Sequence, residues 1–251
     1  MLVGLDIEAY DSHEQQNISE VGLAVLRVSR QYPPYHPNLN RYYAESGVEA
    51  LTIRLRDRKF RNKDKFDDPE QFYGVKVHAS EEDVGDIAAR TLSKYEGKKV
   101  LVGFGMNAEF RWMLEKCTVL VESFEAWVDM QELVCHRRKE EGLGDNIPGL
   151  TTTLQEMHFN NRRGSSGHNA ASDAIRTLAV LSGLVFHVPM VVPPPRCRGS
   201  QMFSKLPNLK SIHAFSVRVM SENGGRLPII SSQSLMELFE KYEGLKGVAV
   251  N

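Results

Sequence analysis

Asp6 and Glu8 stand two apart in the run LVGLDIEAY, whose apolar residues and short length read as a buried strand ending in polar residues. Alternate strand residues project on one face, so the two carboxylates are expected side by side. Buried like charges repel unless a cation lies between them, and the chemistry this pair suggests is holding one. A strand end facing solvent gives the same pattern. His168 and Asp173 stand five apart in GHNAASDAIRTL, around the first turns of a helix, which brings an imidazole and a carboxylate within reach of one site. That is a base and a ligand; the alternative is an entry loop followed by a solvated first-turn acid. Between the two segments, VGFGMNAEFRWML reads as a strand running into a helix with Glu109 at its start, where an acid also simply suits a helix N-terminus.

The elements that must position these groups follow from periodicity and turn signals. After the first strand, residues 19–28 read as a second strand, and the proline-, tyrosine- and base-rich stretch 30–68 contains a third at 50–55. Ser80 followed by Glu81, Glu82 and Asp83 reads as a helix start, with the helix ending near Gly97. A strand from Lys98, a helix over 107–115, a strand over 124–129 and a helix from about Gln131 follow. A short amphipathic helix spans 150–157, and a longer one spans 168–184 with Ala171, Ile175, Leu178 and Leu181 or Leu184 on its apolar face. Such alternation implies an α/β fold, a mixed sheet flanked by helices. Pro193, Pro194 and Pro195 then break the pattern, which divides the chain into a domain over 1–192 and an appendage over 193–251. The appendage reads as a strand at 214–220, an Asn-Gly-Gly turn, a short strand, a helix at 234–242 and a last strand, too small an α/β unit to fold on its own core.

Taken together, these segments resemble the DEDD superfamily of 3′-to-5′ exonucleases, which have a ribonuclease H-like fold, and within it the DEDDh branch. The first motif of that family, D-x-E on the first strand, matches Asp6 and Glu8, and the E-x-G of its second strand matches Glu20 in SEVGLAVL. The second motif, usually G-H-N-x-x-F-D, aligns with GFGMNAE, which places Glu109 at the second aspartate and Phe104 where histidine is frequent. The third, H-x-x-x-x-D, matches His168 and Asp173. The wording HNAASDAIRTLAVL, with VDMQEL before it, resembles a fungal group of ribonuclease H-like domains whose named member suppresses an mRNA-export helicase defect. The resemblance spans residues 2–184 and leaves the appendage uncovered.

The resemblance implies a hydrolase that uses two divalent ions, Mg2+ or Mn2+, and releases 5′-mononucleotides from a 3′ end. Asp6 would bridge both ions, Glu8 and Asp173 would complete the site of the water-activating ion, and Glu109 would help place the second through water. His168 would accept the proton of the attacking water, which a neutral imidazole does at physiological pH. Glu109 departs from the family by one methylene, and a displacement of about 1 Å costs on the order of 100-fold in rate. The resemblance therefore also admits a catalytically weak or inactive exonuclease-like module that binds RNA or a protein. A third reading, an interaction module with incidental acids, predicts no response to metal.

Substrate contacts are expected first in the basic run 54–65, where Arg54, Arg56, Arg58, Lys59, Arg61, Lys63 and Lys65 are interleaved with Phe60 and Phe66, a composition that suits phosphates and bases. The same run reads equally as a solvated loop, diluted by Asp57, Asp64, Asp67 and Asp68. Arg162 and Arg163 lie in a Gly-Ser-rich loop just before His168 and are the next candidates, with ordinary surface as their alternative. Ile7 and Ala9 flank the carboxylates and are candidates for a nucleotide pocket by position alone. Trp112 and Trp127 read as core, and Asp129 as a strand-end or helix-cap carboxylate. The expected partner is single-stranded nucleic acid, RNA favoured over DNA, with protein partners reaching the appendage.

Composition sets the outer bounds. The 251 residues are 41% hydrophobic and 25% charged, ordinary for a globular protein, and the net charge of -1 means that any phosphate-binding surface is a local patch. Cys117, Cys135 and Cys197 are odd in number and widely spaced, giving neither a disulfide framework nor a zinc spacing. No apolar run reaches the roughly 18 residues that span a bilayer, so no membrane association is expected. With no presequence pattern after Met1, an intracellular location, cytoplasmic or nuclear, is the expectation.

Overall fold

The computed structural model describes residues 1–9, 18–28, 35–56, 73–159 and 169–191. Its centre is a six-stranded sheet in the order β4-β3-β2-β1-β5-β6. The strands are β1 (Leu2–Ala9), β2 (Ile18–Leu26), β3 (Glu49–Leu55), β4 (Val75–Ala79), β5 (Val100–Gly103) and β6 (Ala126–Asp129). β2 runs antiparallel to β1 and β3, whereas β3–β4, β1–β5 and β5–β6 are parallel. Five strands therefore point one way, and their carboxyl ends share one edge, where ligands bind in open α/β sheets.

Strand alternation sorts the core into two layers. Leu2, Ala24 and Leu26 face a cluster with α1 (Leu39–Ser46), α5 (Met130–Glu140), α6 (Leu150–Glu156) and α7 (Ala170–Val185). Val3, Leu5, Val21, Leu23 and Ile53 face a second cluster with α2 (Val84–Ser93), α3 (Asn107–Lys116) and α4 (Thr118–Val121). All nine residues of β2 are buried, as a central strand covered on both faces must be. A mixed six-stranded sheet with seven helices among the described residues is the α/β architecture expected of a ribonuclease H-like fold.

One helix lies unusually close to the sheet. A Cβ on Gly22 would fall 2.0 Å from the backbone of Ala170 and Ala171, and one on Gly4 would fall 2.6 Å from the carbonyl oxygen of Ala174. These two glycines let α7 settle onto β1 and β2 with backbone against backbone. Every residue of α7 except Arg176 is buried.

Element by element, the strands at 50–55, 98–104 and 124–129 and the helices at 107–115, 131, 150–157 and 168–184 appear within a few residues of expectation. The helix expected from Ser80 begins at Val84 instead. Ser80 Oγ donates to the Asp83 carboxylate at 2.7 Å rather than capping a peptide N–H, and the acidic run forms a turn. That helix also stops early, at Ser93, and Gly97 at φ +87° closes the turn beyond it. Helix α1, β4 and α4 are additions: α1 buries only Leu39 and Tyr42, too few apolar positions to display a period. The boundary at 193 and the appendage lie outside the described residues.

Candidate active site

Asp6 and Glu8 reach the carboxyl end of β1 on the face that carries α7. Register with β2 is regular as far as Glu8↔Glu20 and then shifts before Ala9. Asp173 is the acid of the first turn of α7. One carboxylate oxygen from each of Asp6, Glu8 and Asp173 lies within 4.8 Å of the others, although the residues are separated by most of the domain. Burial first, then the charges of Asp173, Glu8, Glu109 and Glu20, push the Asp6 carboxyl well above the ordinary carboxylate range. Three hard oxygen donors that converge and repel one another are what a divalent ion such as Mg2+ or Mn2+ requires, and these residues fit one. Asp173 also accepts from the Arg176 guanidinium three residues on, which offsets part of its charge.

Glu109 stands apart from this trio. It sits buried in the first turn of α3, and its Oε2 has no hydrogen-bond partner among the described residues. Burial pushes its carboxyl up to about 7; the peptide N–H groups of Glu109 and Ile7 oppose that, and the charge of Asp129 adds to it. Its charge is felt by Asp6, yet it is not among the carboxylates gathered within 4.8 Å. β1 pairs with β5 only through Gly4, so beyond that point its edge is open, and the Glu109 carboxylate meets the Ile7 peptide there. Phe104, at the position where the resembling family often has histidine, packs against the α7-side core.

The two helices that carry Asp173 and Glu109 each start against another acid. Glu20, fully buried, accepts from Asn169 Nδ2 at 2.7 Å and the Ala170 N–H at 2.8 Å on Oε1, and from Arg54 Nε at 2.8 Å on Oε2. Burial still leaves its carboxyl above the ordinary range, against the pull of Arg54 and the Ala170 N–H. Asp129 accepts the N–H groups of Gly105 and Met106 at 2.8 and 3.0 Å and of Gln131 at 2.9 Å. It caps α5 and holds the turn that leads into α3, the cap role expected of it.

The other candidates separate sharply. The Ile7 side chain, partly buried, packs against the second core cluster, on the sheet face opposite Asp6 and Glu8, and its peptide N–H reaches the Glu109 carboxylate. Arg56 is exposed at the end of β3 and donates to the His78 carbonyl at 3.2 Å. Arg54, counted in the basic run, is instead buried against Glu20. Trp112 is core, and Trp127 packs edge-on against Phe110 at 4.9 Å. His168, Arg58, Lys59, Arg61, Arg162, Arg163 and the side chain of Ala9 lie outside the described residues. The Arg54–Glu20–Asn169 connection is what the sequence reading missed. A charged residue between Ile18 and Val21 on one strand, and another between Ile53 and Leu55 on a second, was the available signal that the two must pair.

Residues 1–184 match the family model described as DNA polymerase III subunit epsilon-like, C-terminal domain, of DEDDh type. A comparison with curated proteins gives no match.

Proposed function

We propose, for a chain that belongs to the DEDDh family of DNA polymerase III subunit epsilon-like domains, a metal-dependent 3′-to-5′ exonuclease that releases 5′-mononucleotides from single-stranded nucleic acid, RNA favoured over DNA. The observation that carries this reading is the convergence of Asp6, Glu8 and Asp173 at the carboxyl edge of the sheet, inside the matched span. Asp6, Glu8 and Asp173, with Glu109 beside them, would hold two Mg2+ or Mn2+ ions. When bound, such ions supply an activated water and offset the charge that develops on the phosphate and on the departing 3′ oxygen.

The chain's own residues do the rest. His168, immediately before the cap residue Asn169 in sequence, takes the proton from the attacking water as a neutral imidazole. Arg176, already against Asp173, limits the repulsion among the carboxylates before an ion arrives. Arg56, Arg58, Lys59, Arg61, Arg162 and Arg163 grip backbone phosphates, and the preference for RNA rests on the likeness to the fungal group. An intracellular location and protein partners for residues 193–251 belong to the same reading. A second reading, a weak or inactive module that binds RNA, is favoured by Glu109, which carries one methylene more than the aspartate of the family motif and is not among the carboxylates gathered within 4.8 Å.

A time course on 5′-labelled single-stranded RNA and DNA with Mn2+, Mg2+ or EDTA separates the two. The exonuclease gives a metal-dependent ladder shortening from the 3′ end, which Asp173→Asn reduces at least about 100-fold, as loss of a positioned group does. Intact strands that the wild type still retards in a gel would transfer the assignment to the binding module.

A further inference from the structure

The carboxylates gathered at the site come from two elements that share no sequence neighbourhood. β1 sets Asp6 and Glu8 on one face by strand geometry, but Asp173 rides on α7, and its place depends on how the first turn of that helix is seated. A helix start on a sheet has freedom in azimuth and along its axis, and about 1 Å of error degrades a functional site.

A continuous polar chain removes that freedom. Arg54 on β3 and Glu20 on β2 are direct cross-strand partners, and Glu20 in turn lies opposite Glu8 on β1, so the three form one row across the sheet. Glu20 Oε2 accepts from Arg54, and Oε1 accepts from both the Asn169 side chain and the Ala170 peptide. Asn169 passes the constraint on: its side-chain oxygen accepts from the Ser172 N–H at 3.0 Å and from Ser172 Oγ at 3.1 Å, and its backbone oxygen accepts from the Asp173 N–H at 2.9 Å. Gly22, directly opposite Asp6, clears the space into which Ala170 and Ala171 descend. Glu20 and Gly22, two residues apart on one face of one strand, thus grip the helix start and make room for it. Glu20 and Asn169 are both buried, so this grip is not shared with solvent.

We propose that Arg54, Glu20 and Asn169 act as a positioning relay that sets where α7 presents Asp173 to Asp6 and Glu8, so that divalent-ion affinity depends on residues that are not themselves ligands. The inference rests on the metal-binding reading above. Its distinguishing claim is that the relay tunes ion affinity separately from stability. Groups that orient ligands typically change metal affinity about 10- to 100-fold when removed.

The test is Mn2+ titration calorimetry on the full chain, with melting temperatures in EDTA recorded in parallel. Asn169→Ser keeps a good helix cap but is too short to reach Glu20. It is expected to weaken Mn2+ binding about tenfold or more while lowering the melting temperature less than Glu20→Gln does. Glu20→Gln is expected to lower both affinity and melting temperature, since it takes the Glu20 charge away from the buried Arg54 guanidinium. Adding Arg54→Met should recover the melting temperature without recovering the affinity. If Asn169→Ser and the double variant bind Mn2+ within about twofold of the wild type, or if affinity merely follows melting temperature across the set, the relay is only structural and the inference is overturned. A wild type that binds no Mn2+ overturns the metal reading and the relay with it, an outcome distinct from unchanged affinity in the variants.

Discussion

Asp173 and Glu109 each occupy the first turn of a helix, and each helix begins against a carboxylate from the sheet, but the two attachments differ in kind. Glu20 grips α7 at its cap and first residue, is fully buried, and carries Arg54 on its other oxygen. Asp129 grips α3 one step earlier, at the Gly105–Met106 turn, is half-buried, and takes peptide N–H groups among the described residues. The results differ accordingly: Asp173 joins the carboxylate trio within 4.8 Å, whereas Glu109 stays outside it and keeps one oxygen without a hydrogen-bond partner among the described residues. A buried, charge-paired tie fixes the helical turn itself. Peptide contacts at the entry fix where the helix starts and leave its first acid less constrained.

The widest separation between the two attachments is expected in stability. Glu20→Ala removes the carboxylate side of the buried pair with Arg54 and the acceptor of Ala170, and breaking a buried ion pair from one side costs about 3–5 kcal/mol. Urea denaturation of the metal-free chain should show that loss as a lower midpoint with an unchanged slope, and Glu20→Ala combined with Arg54→Met should return a substantial part of it. An unchanged midpoint for Glu20→Ala would erase the distinction between the two attachments.

How much of this could be read in the sequence depends on whether a feature is local. Asp6 and Glu8 were legible because strand alternation is a local rule, and the start of α7 was legible because Asn169 and the apolar spacing after it are close in the chain. The sheet class followed from alternating strand and helix signals. Arg54 was misread as part of a basic run because net local charge carries no information about burial; only its register opposite Glu20, 34 residues away, turns it inward. The face that Ile7 takes follows from the same local strand rule, since the residue between two that share a face points the other way. The role of Asp129 as a cap was legible, but its grip on Gly105 and Met106 depends on the β5–β6 pairing and was not.

Glu109 supplies the next largest effect. Its carboxyl sits at about 7 in the folded, metal-free chain against an ordinary value of 4.5, so folding favours its protonated form. That contribution is complete below about pH 4.5 and is lost as pH rises through 7. The loss is of the order of 3 kcal/mol, since one pKa unit corresponds to about 1.4 kcal/mol. Midpoints measured between pH 5 and 8 in EDTA should therefore fall with rising pH, and Glu109→Gln should flatten that fall. Saturating Mn2+ should flatten it too in the wild type, because a bound cation favours the carboxylate. A wild-type profile with no slope over this range would place Glu109 in a wetter, better-satisfied setting than its burial implies.

The smallest expected effect is the one that sharpens the comparison most. Asp129→Asn keeps an acceptor for the helix cap but removes the charge that helps raise Glu109, and a cap change of this kind costs on the order of 1 kcal/mol or less. Because Asp129 is not among the carboxylates gathered within 4.8 Å, Mn2+ affinity is expected to stay within about twofold of the wild type. The pH at which the metal-free chain loses stability should shift downward, since one cause of the raised Glu109 carboxyl has gone. A shift in titration without a shift in ion affinity is the opposite of what Asn169→Ser should do at α7. If Asp129→Asn instead weakens Mn2+ as much as Asn169→Ser, both helix starts are coupled to the same ion site, and the contrast between a buried ion pair and peptide contacts does not account for their behaviour.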